Sequence, residues 1–118
     1  MYKVHQNIVI DGVDWGDKGS RKLSAHCNEG KWNNFILPLL PKDPHEMTFV
    51  EYGSNAGMYL NMADEYGFDH VVGFEKNKKD HEMAEKYKES FNKYYVTLNE
   101  TFSEDFDFNK LPVADVTL

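Results

Sequence analysis

The rhythm of hydrophobic and polar positions changes near residue 45. Ahead of it, Asn7-Ile8-Val9-Ile10 is a short extended stretch, and Asp11 to Ser24, rich in Gly, Asp, Lys and Ser, reads as a loop. Trp32, Phe35, Ile36 and Leu39 recur at helical spacing, which predicts a helix capped by Asn28 and ended or kinked near Leu37 by Pro38. Pro41-Lys42-Asp43-Pro44 is a linker. Strand, glycine turn, helix, strand and helix then follow in order. Thr48 to Tyr52 is a strand; Tyr59, Met62, Ala63 and Tyr66 form a helical stripe closed by Gly67. His70 to Phe74 is a second strand. Asn77 caps a helix reaching Phe91, with Met83, Ala84, Tyr87 and Phe91 turned inward. Tyr94 to Leu98 is a third strand, its two tyrosines on alternate faces, and Ala114 to Leu118 begins a fourth. Strands alternating with helices predict an α/β fold with a parallel sheet and right-handed crossovers.

Composition narrows the classes. The 118 residues divide into an N-terminal extension, partly loop, over 1–27 and one α/β domain over 28–118. Hydrophobic residues at 41% and aromatics at 14% belong to a chain that builds a core, not to a disordered one. With 13 basic against 20 acidic residues the net charge is −7, which opposes autonomous nucleic-acid binding and is compatible with a cationic ligand. Cys27 alone excludes an internal disulfide framework and fits a reducing compartment. No apolar run approaches membrane-spanning length and the first residues lead into no apolar signal core, so the expectation is cytoplasmic, with no membrane partner. His5, His26, His45, His70 and His81 show no pair at ligand spacing. Asp11, Asp14 and Asp17 lack the spacing and closing Glu of a calcium loop, so no metal site is expected. Nothing marks Cys27, beside His26, as a nucleophile. Trp32 is expected to anchor its helix in the core, with Lys31 on the surface.

The chemistry concentrates in Val50-Glu51-Tyr52-Gly53-Ser54-Asn55-Ala56-Gly57, followed by Val71-Val72-Gly73-Phe74-Glu75. A strand entering a helix through a glycine turn lets backbone approach a ligand, and the helix N-terminus offers it free N–H groups. A carboxylate ending the next strand, about 20 residues on, is placed to accept both hydroxyls of a ribose; Glu75 fits that role. These residues indicate a nucleoside-containing cofactor. The same glycines also serve strand–helix packing, and a terminal Glu75 also serves as a solvated strand end. Two details discriminate among cofactors. Asn55 stands where the dinucleotide fingerprint needs a glycine for the pyrophosphate, although Asn tolerates the backbone angles of a tight turn. Glu51, just before the turn, opposes a pyrophosphate and suits an amino group and a sulfonium. Both favour S-adenosylmethionine over NAD, with the NAD-binding half of an oxidoreductase as the alternative.

Glu51-x-Gly53-x-Asn55-x-Gly57 resembles the first motif of class I S-adenosylmethionine-dependent methyltransferases, in the variant with Asn in the middle. Val71-Val72-Gly73-Phe74-Glu75 is similar to their second motif, and Leu111-Pro112-Val113-Ala114-Asp115-Val116-Thr117-Leu118 to the start of their fourth. Gly30-Lys31-Trp32 before a Pro-Leu-Leu-Pro segment resembles the lead-in of methyltransferases akin to the wobble-uridine tRNA modifiers, a likeness too short to carry a substrate over. The resemblance implies a Rossmann-like three-layer fold whose sheet is ordered three-two-one-four-five-seven-six, truncated here after about four strands. It implies that Gly53, Ser54, Asn55 and Gly57 wrap the methionine end of S-adenosylmethionine, that Glu51 holds the amino group and that Glu75 clamps the ribose. Lys76 departs from the pattern, standing where the family often sets an apolar residue against the adenine. Asn99 is the nearest candidate for the family's Asp at the adenine amine. Family residues touching the methyl acceptor usually follow the fourth strand, so the acceptor and catalytic residues are not expected in this chain. A non-catalytic nucleoside-binding or interaction module stays open beside the cofactor-binding half of an enzyme. An exposed fourth-strand edge and a sheet face without covering helices imply self-association or a complementary chain.

Overall fold

The computed structural model describes residues 2–4, 6, 8–17 and 28–118. His5, His26, Cys27 and residues 18–24 of the expected loop lie outside them. The start of that loop is a hairpin. β1 (Val9–Ile10) and β2 (Val13–Asp14) pair antiparallel, Val9 opposite Asp14 and Ile10 opposite Val13. Asp11 and Gly12 between them both take positive φ, 50° and 77°. That is the backbone of a two-residue hairpin turn, which Asp-Gly favours because its twist matches that of the flanking strands. Val4, Ile8 and Ile10 are buried against Ala56 and Met83, fastening this segment to the rest of the fold.

The helix predicted after Asn28 is wound differently. Residues 28–31 are helical, Trp32–Ile36 widens into a π-helix, and Leu37–Leu39 tightens into a 3-10 turn with Pro38 at its start. Proline has no N–H for the α ladder, so the winding changes there. The apolar stripe breaks with it: Trp32 and Leu40 are buried, whereas Phe35 is 70% and Leu39 85% exposed. Asn28 accepts the Tyr59 hydroxyl on its Oδ1 at 3.2 Å. Trp32 stacks on Tyr59 at 5.9 Å and meets Phe49 edge-on at 6.3 Å, which makes it the core anchor the sequence suggested.

The main sheet has four parallel strands: β3 (Thr48–Tyr52), β4 (His70–Phe74), β5 (Val96–Leu98) and β6 (Val116–Thr117), in the order β5-β4-β3-β6. Tyr94, expected inside the third strand, precedes it and is 90% exposed, while Tyr95 is buried. Helix α1 (Met58–Tyr66) links β3 to β4 and ends at Gly67, whose φ of 119° is a left-handed cap. Helix α2 (Lys78–Ser90) links β4 to β5; the Asn77 side chain caps it by accepting the N–H groups of Lys79 and Asp80 at 3.0 and 3.1 Å.

Both helices cover one face. Phe49, Val71 and Tyr95 pack there with Tyr59, Leu60 and Ala63 of α1, and Val116 joins them. Thr97 on the same face donates to Glu85 of α2 and accepts from Lys88 Nζ at 3.3 Å. Tyr52 and Phe74 are register partners on the other face, stacked at 5.3 Å. The connection from β5 to β6 crosses it through Phe102, Phe106 and Phe108, which pack ring against ring. No α-helix covers this face among the described residues; the connection holds a 3-10 turn at Phe108–Lys110, and Val96 and Leu98 remain exposed on the face. Among those residues no helix is long and apolar enough to cross a membrane.

Candidate functional site

The site begins where β3 ends. Gly53, Asn55 and Gly57 take φ values of 75°, 55° and 90°, folding the chain back into α1 through three left-handed residues. Asn55 accepts that geometry, as its residue type allows. The N–H groups of Gly53 and Ser54 both donate to the Phe74 carbonyl, at 2.8 and 3.0 Å, clipping the turn to the end of β4; the Gly57 N–H donates to Ser54 O at 2.9 Å. The glycines divide by purpose. A Cβ on Gly53 meets nothing within 4 Å, so that residue leaves an open surface beside the turn. A Cβ on Gly73, the register partner of Glu51, runs into Leu60 Cδ1 and lies 2.8 Å from Ser54 Oγ and 2.9 Å from Ser54 Cβ. Gly73 is therefore the packing glycine: it lets α1 and the turn rest against the sheet.

Glu75 faces the turn. Its Oε2 accepts the Asn55 N–H at 2.7 Å and its Oε1 accepts the Asn77 N–H at 2.8 Å, so one buried carboxylate joins the two strand–helix corners. It is not a solvated strand end. Each oxygen keeps lone-pair capacity for a further donor. Beside it opens a cleft of about 470 Å³ whose lining includes Tyr52, Gly53, Phe74, Glu75, Lys76 and Phe102. Carboxylate forms one wall and aromatic rings another, Phe102 lying 5.3 Å from Phe74 and 5.6 Å from Tyr52. No sequence pattern singles out those three rings: Tyr52 and Phe74 read as strand residues, and Phe102 lies in a stretch with no periodicity. The available hint was the cluster Phe102, Phe106 and Phe108 together with two earlier strands that each end in an aromatic. Asn99, the candidate for a base contact, donates its amide to the carbonyls of Glu75 and Lys76 at 2.9 and 3.2 Å, bracing the corner after β4.

Glu51 lies on the helix-covered face, 5% exposed. Burial pushes its carboxyl up to about 8; Lys31 opposes that rise and Glu75 adds to it. Its Oε2 has no hydrogen-bond partner, and neither has Ser54 Oγ or Asn55 Oδ1. Three buried polar atoms without partners gather at the end of β3 and in the turn that follows it. Each costs about 1–3 kcal/mol unless something else satisfies it, and proteins keep such groups where a ligand does so. The sequence expectation of free N–H groups at the helix start fails at Met58, whose N–H is accepted by Gln6 Oε1 at 3.0 Å. Gln6 lies 52 positions away, so nothing local foretold the contact. A phosphate would meet two acids here and an N–H already satisfied. A hydroxyl or ammonium donor would instead find carboxylate acceptors.

The strand order is that of a mixed α/β fold with a parallel sheet that resembles part of a Rossmann-like methyltransferase sheet. The ribosomal protein L11 methylase from Lactobacillus delbrueckii subsp. bulgaricus matches 75% of this chain and 43% of its own, with a TM-score of 0.50 at 17% identity. An S-adenosylmethionine dependent methyltransferase from Mesorhizobium loti matches over 70% of this chain and 33% of its own, with a TM-score of 0.48 at 22% identity. The chain thus spans less than half the length of either structure. No protein-family model and no curated protein sequence matches it.

Proposed function

We propose that this chain is the cofactor-binding half of an S-adenosylmethionine-dependent methyltransferase. The observation that carries the reading is the pair of buried acids at one turn: Glu75 joining both corners beside an aromatic cleft, and Glu51 with an unpartnered oxygen. In this reading Glu75 takes the ribose hydroxyls and the wall of Tyr52, Phe74 and Phe102 takes the base, the apolar contact that Lys76 does not supply. Glu51 takes the amino group, and Gly53, Ser54, Asn55 and Gly57 follow the methionine end. S-adenosylmethionine supplies an electrophilic methyl on a cationic sulfonium. These residues hold and orient the cofactor, which is the positional part of catalysis. We assign the chain no methyl acceptor and no catalytic residue.

Calorimetric titration tests the reading against its alternatives. S-adenosylhomocysteine is expected to bind and NAD not to. The opposite result would move the chain to the oxidoreductases. Binding of neither would leave a structural module with no nucleoside site.

A further inference from the structure

Glu51 poses a problem the cofactor reading does not solve. A carboxylate this buried is costly unless paired, yet among the described residues it has no ion-pair partner and its Oε2 has no hydrogen bond. The groups acting on its charge come from two neighbouring elements. Lys31, exposed on helical residues 28–31, favours the ionised form; Glu75, at the end of β4, opposes it. Neither α1 nor α2 contributes a charge that moves it. Ser54 Oγ, close against Gly73 on the same face, is likewise without a partner. Two acids converge on one turn, with no buried cation between them among the described residues. A proton on Glu51 is the least expensive way to hold that arrangement.

We propose that Glu51 carries a proton before ligand binds and gives it up when a cationic ammonium reaches the turn, so that binding of the amino-acid part of the cofactor releases one proton to solvent. The balance is simple. The Glu51 O–H bond breaks, the proton goes to buffer, and the carboxylate left behind pairs with the ligand's ammonium. The proposal rests on the cofactor reading above and adds that the turn discriminates by charge: only a ligand bearing the ammonium drives the release, and a nucleoside without it binds with no proton exchanged.

The test is calorimetry of S-adenosylhomocysteine at pH 7 in phosphate and in Tris, whose ionisation enthalpies differ, with 5′-methylthioadenosine as the ligand lacking the amino-acid part. The dependence of observed heat on buffer enthalpy gives protons released. About 0.9 is expected for S-adenosylhomocysteine, the protonated fraction at pH 7 of a group titrating near 8. Methylthioadenosine should give about zero. Glu51→Gln should abolish the release on binding S-adenosylhomocysteine, with circular dichroism showing that the variant is folded. Binding of S-adenosylhomocysteine without release, or release that survives Glu51→Gln, overturns this proposal and leaves the nucleoside reading standing. Failure of both nucleosides to bind overturns that reading, and this one with it.

Discussion

Gly73→Ala adds one methyl group at the point where sheet, turn and helix meet. The new carbon points at Leu60 Cδ1 and sits 2.8 Å and 2.9 Å from Ser54 Oγ and Cβ. To restore carbon–carbon contact of about 3.5 Å, Leu60 must retreat by about 1 Å and Ser54 by roughly half that. Neither has room, since both are fully buried. Ser54 is further held by its own N–H bond to Phe74 and by accepting the Gly57 N–H. Overpacking of this kind costs about 3 kcal/mol, the upper end of the usual range. Alanine recovers about 0.7 kcal/mol by restricting the unfolded chain. The net loss is about 2 kcal/mol, or about 8 °C in Tm for a chain of this length. Thermal unfolding followed by circular dichroism or calorimetry measures it. Gly53→Ala is the control: it meets no neighbour but sits at φ 75°, so it should lose about 1 kcal/mol, or about 4 °C, from backbone strain alone. Placing Gly73→Ala on a Leu60→Ala background should cost less than in the native chain, because the displaced side chain is gone. A Gly73→Ala melt within about 2 °C of the native one would refute the close approach.

Other perturbations reach the site directly. Glu75→Ala removes the acceptor of two backbone N–H groups and, in the proposed function, the partner of the ribose; affinity for S-adenosylhomocysteine should then fall at least about tenfold, and a folded variant that binds normally would end the ribose assignment. Glu51 in the folded protein titrates near 8, above its ordinary 4.5, so the native state holds a proton that the unfolded chain has lost between those values. Stability should therefore fall as pH rises from about 5 to about 8, by at most about 1.4 kcal/mol per unit, and Glu51→Gln should remove that slope. Urea unfolding at several pH values reads this, and parallel profiles for the two proteins would contradict it. Among the described residues β6 pairs only with β3, and Val96, Leu98 and Phe108 are exposed on the face without α-helices. Light scattering on a concentration series should show association through this surface, whereas a monodisperse, cooperatively melting monomer would argue against it.

Where local chemistry decided the structure, it was legible in the sequence. β3 and β4 have the predicted bounds because short β-branched and aromatic runs are bracketed by a turn on either side. Gly67 and Asn77 terminate and start their helices by their own backbone freedom and side-chain chemistry. Asp11-Gly12 carried a hairpin signal, but strands of two residues are too short for alternation to support it. Around Trp32 the apolar spacing fitted an α-helix, and Pro38 disturbed the winding over more residues than its own turn, leaving Phe35 outside. The candidate site divides the same way. Glu51, Gly53, Ser54, Asn55, Gly57 and Glu75 come together in the structure as one turn and its neighbouring strand end, because adjacent parallel strands align those positions. Phe102 and Gln6 reach the same place only through tertiary packing.

One carboxylate grips both corners of the fold, and this has a dynamic consequence. A fluctuation that lifts the first corner strands a Glu75 oxygen in a closed environment, so the second corner feels the disturbance and the two breathe in concert. A nucleoside clasped by that carboxylate would quiet both together. The amides of Asn55 and Asn77, far apart along the chain, would then slow their hydrogen exchange in step.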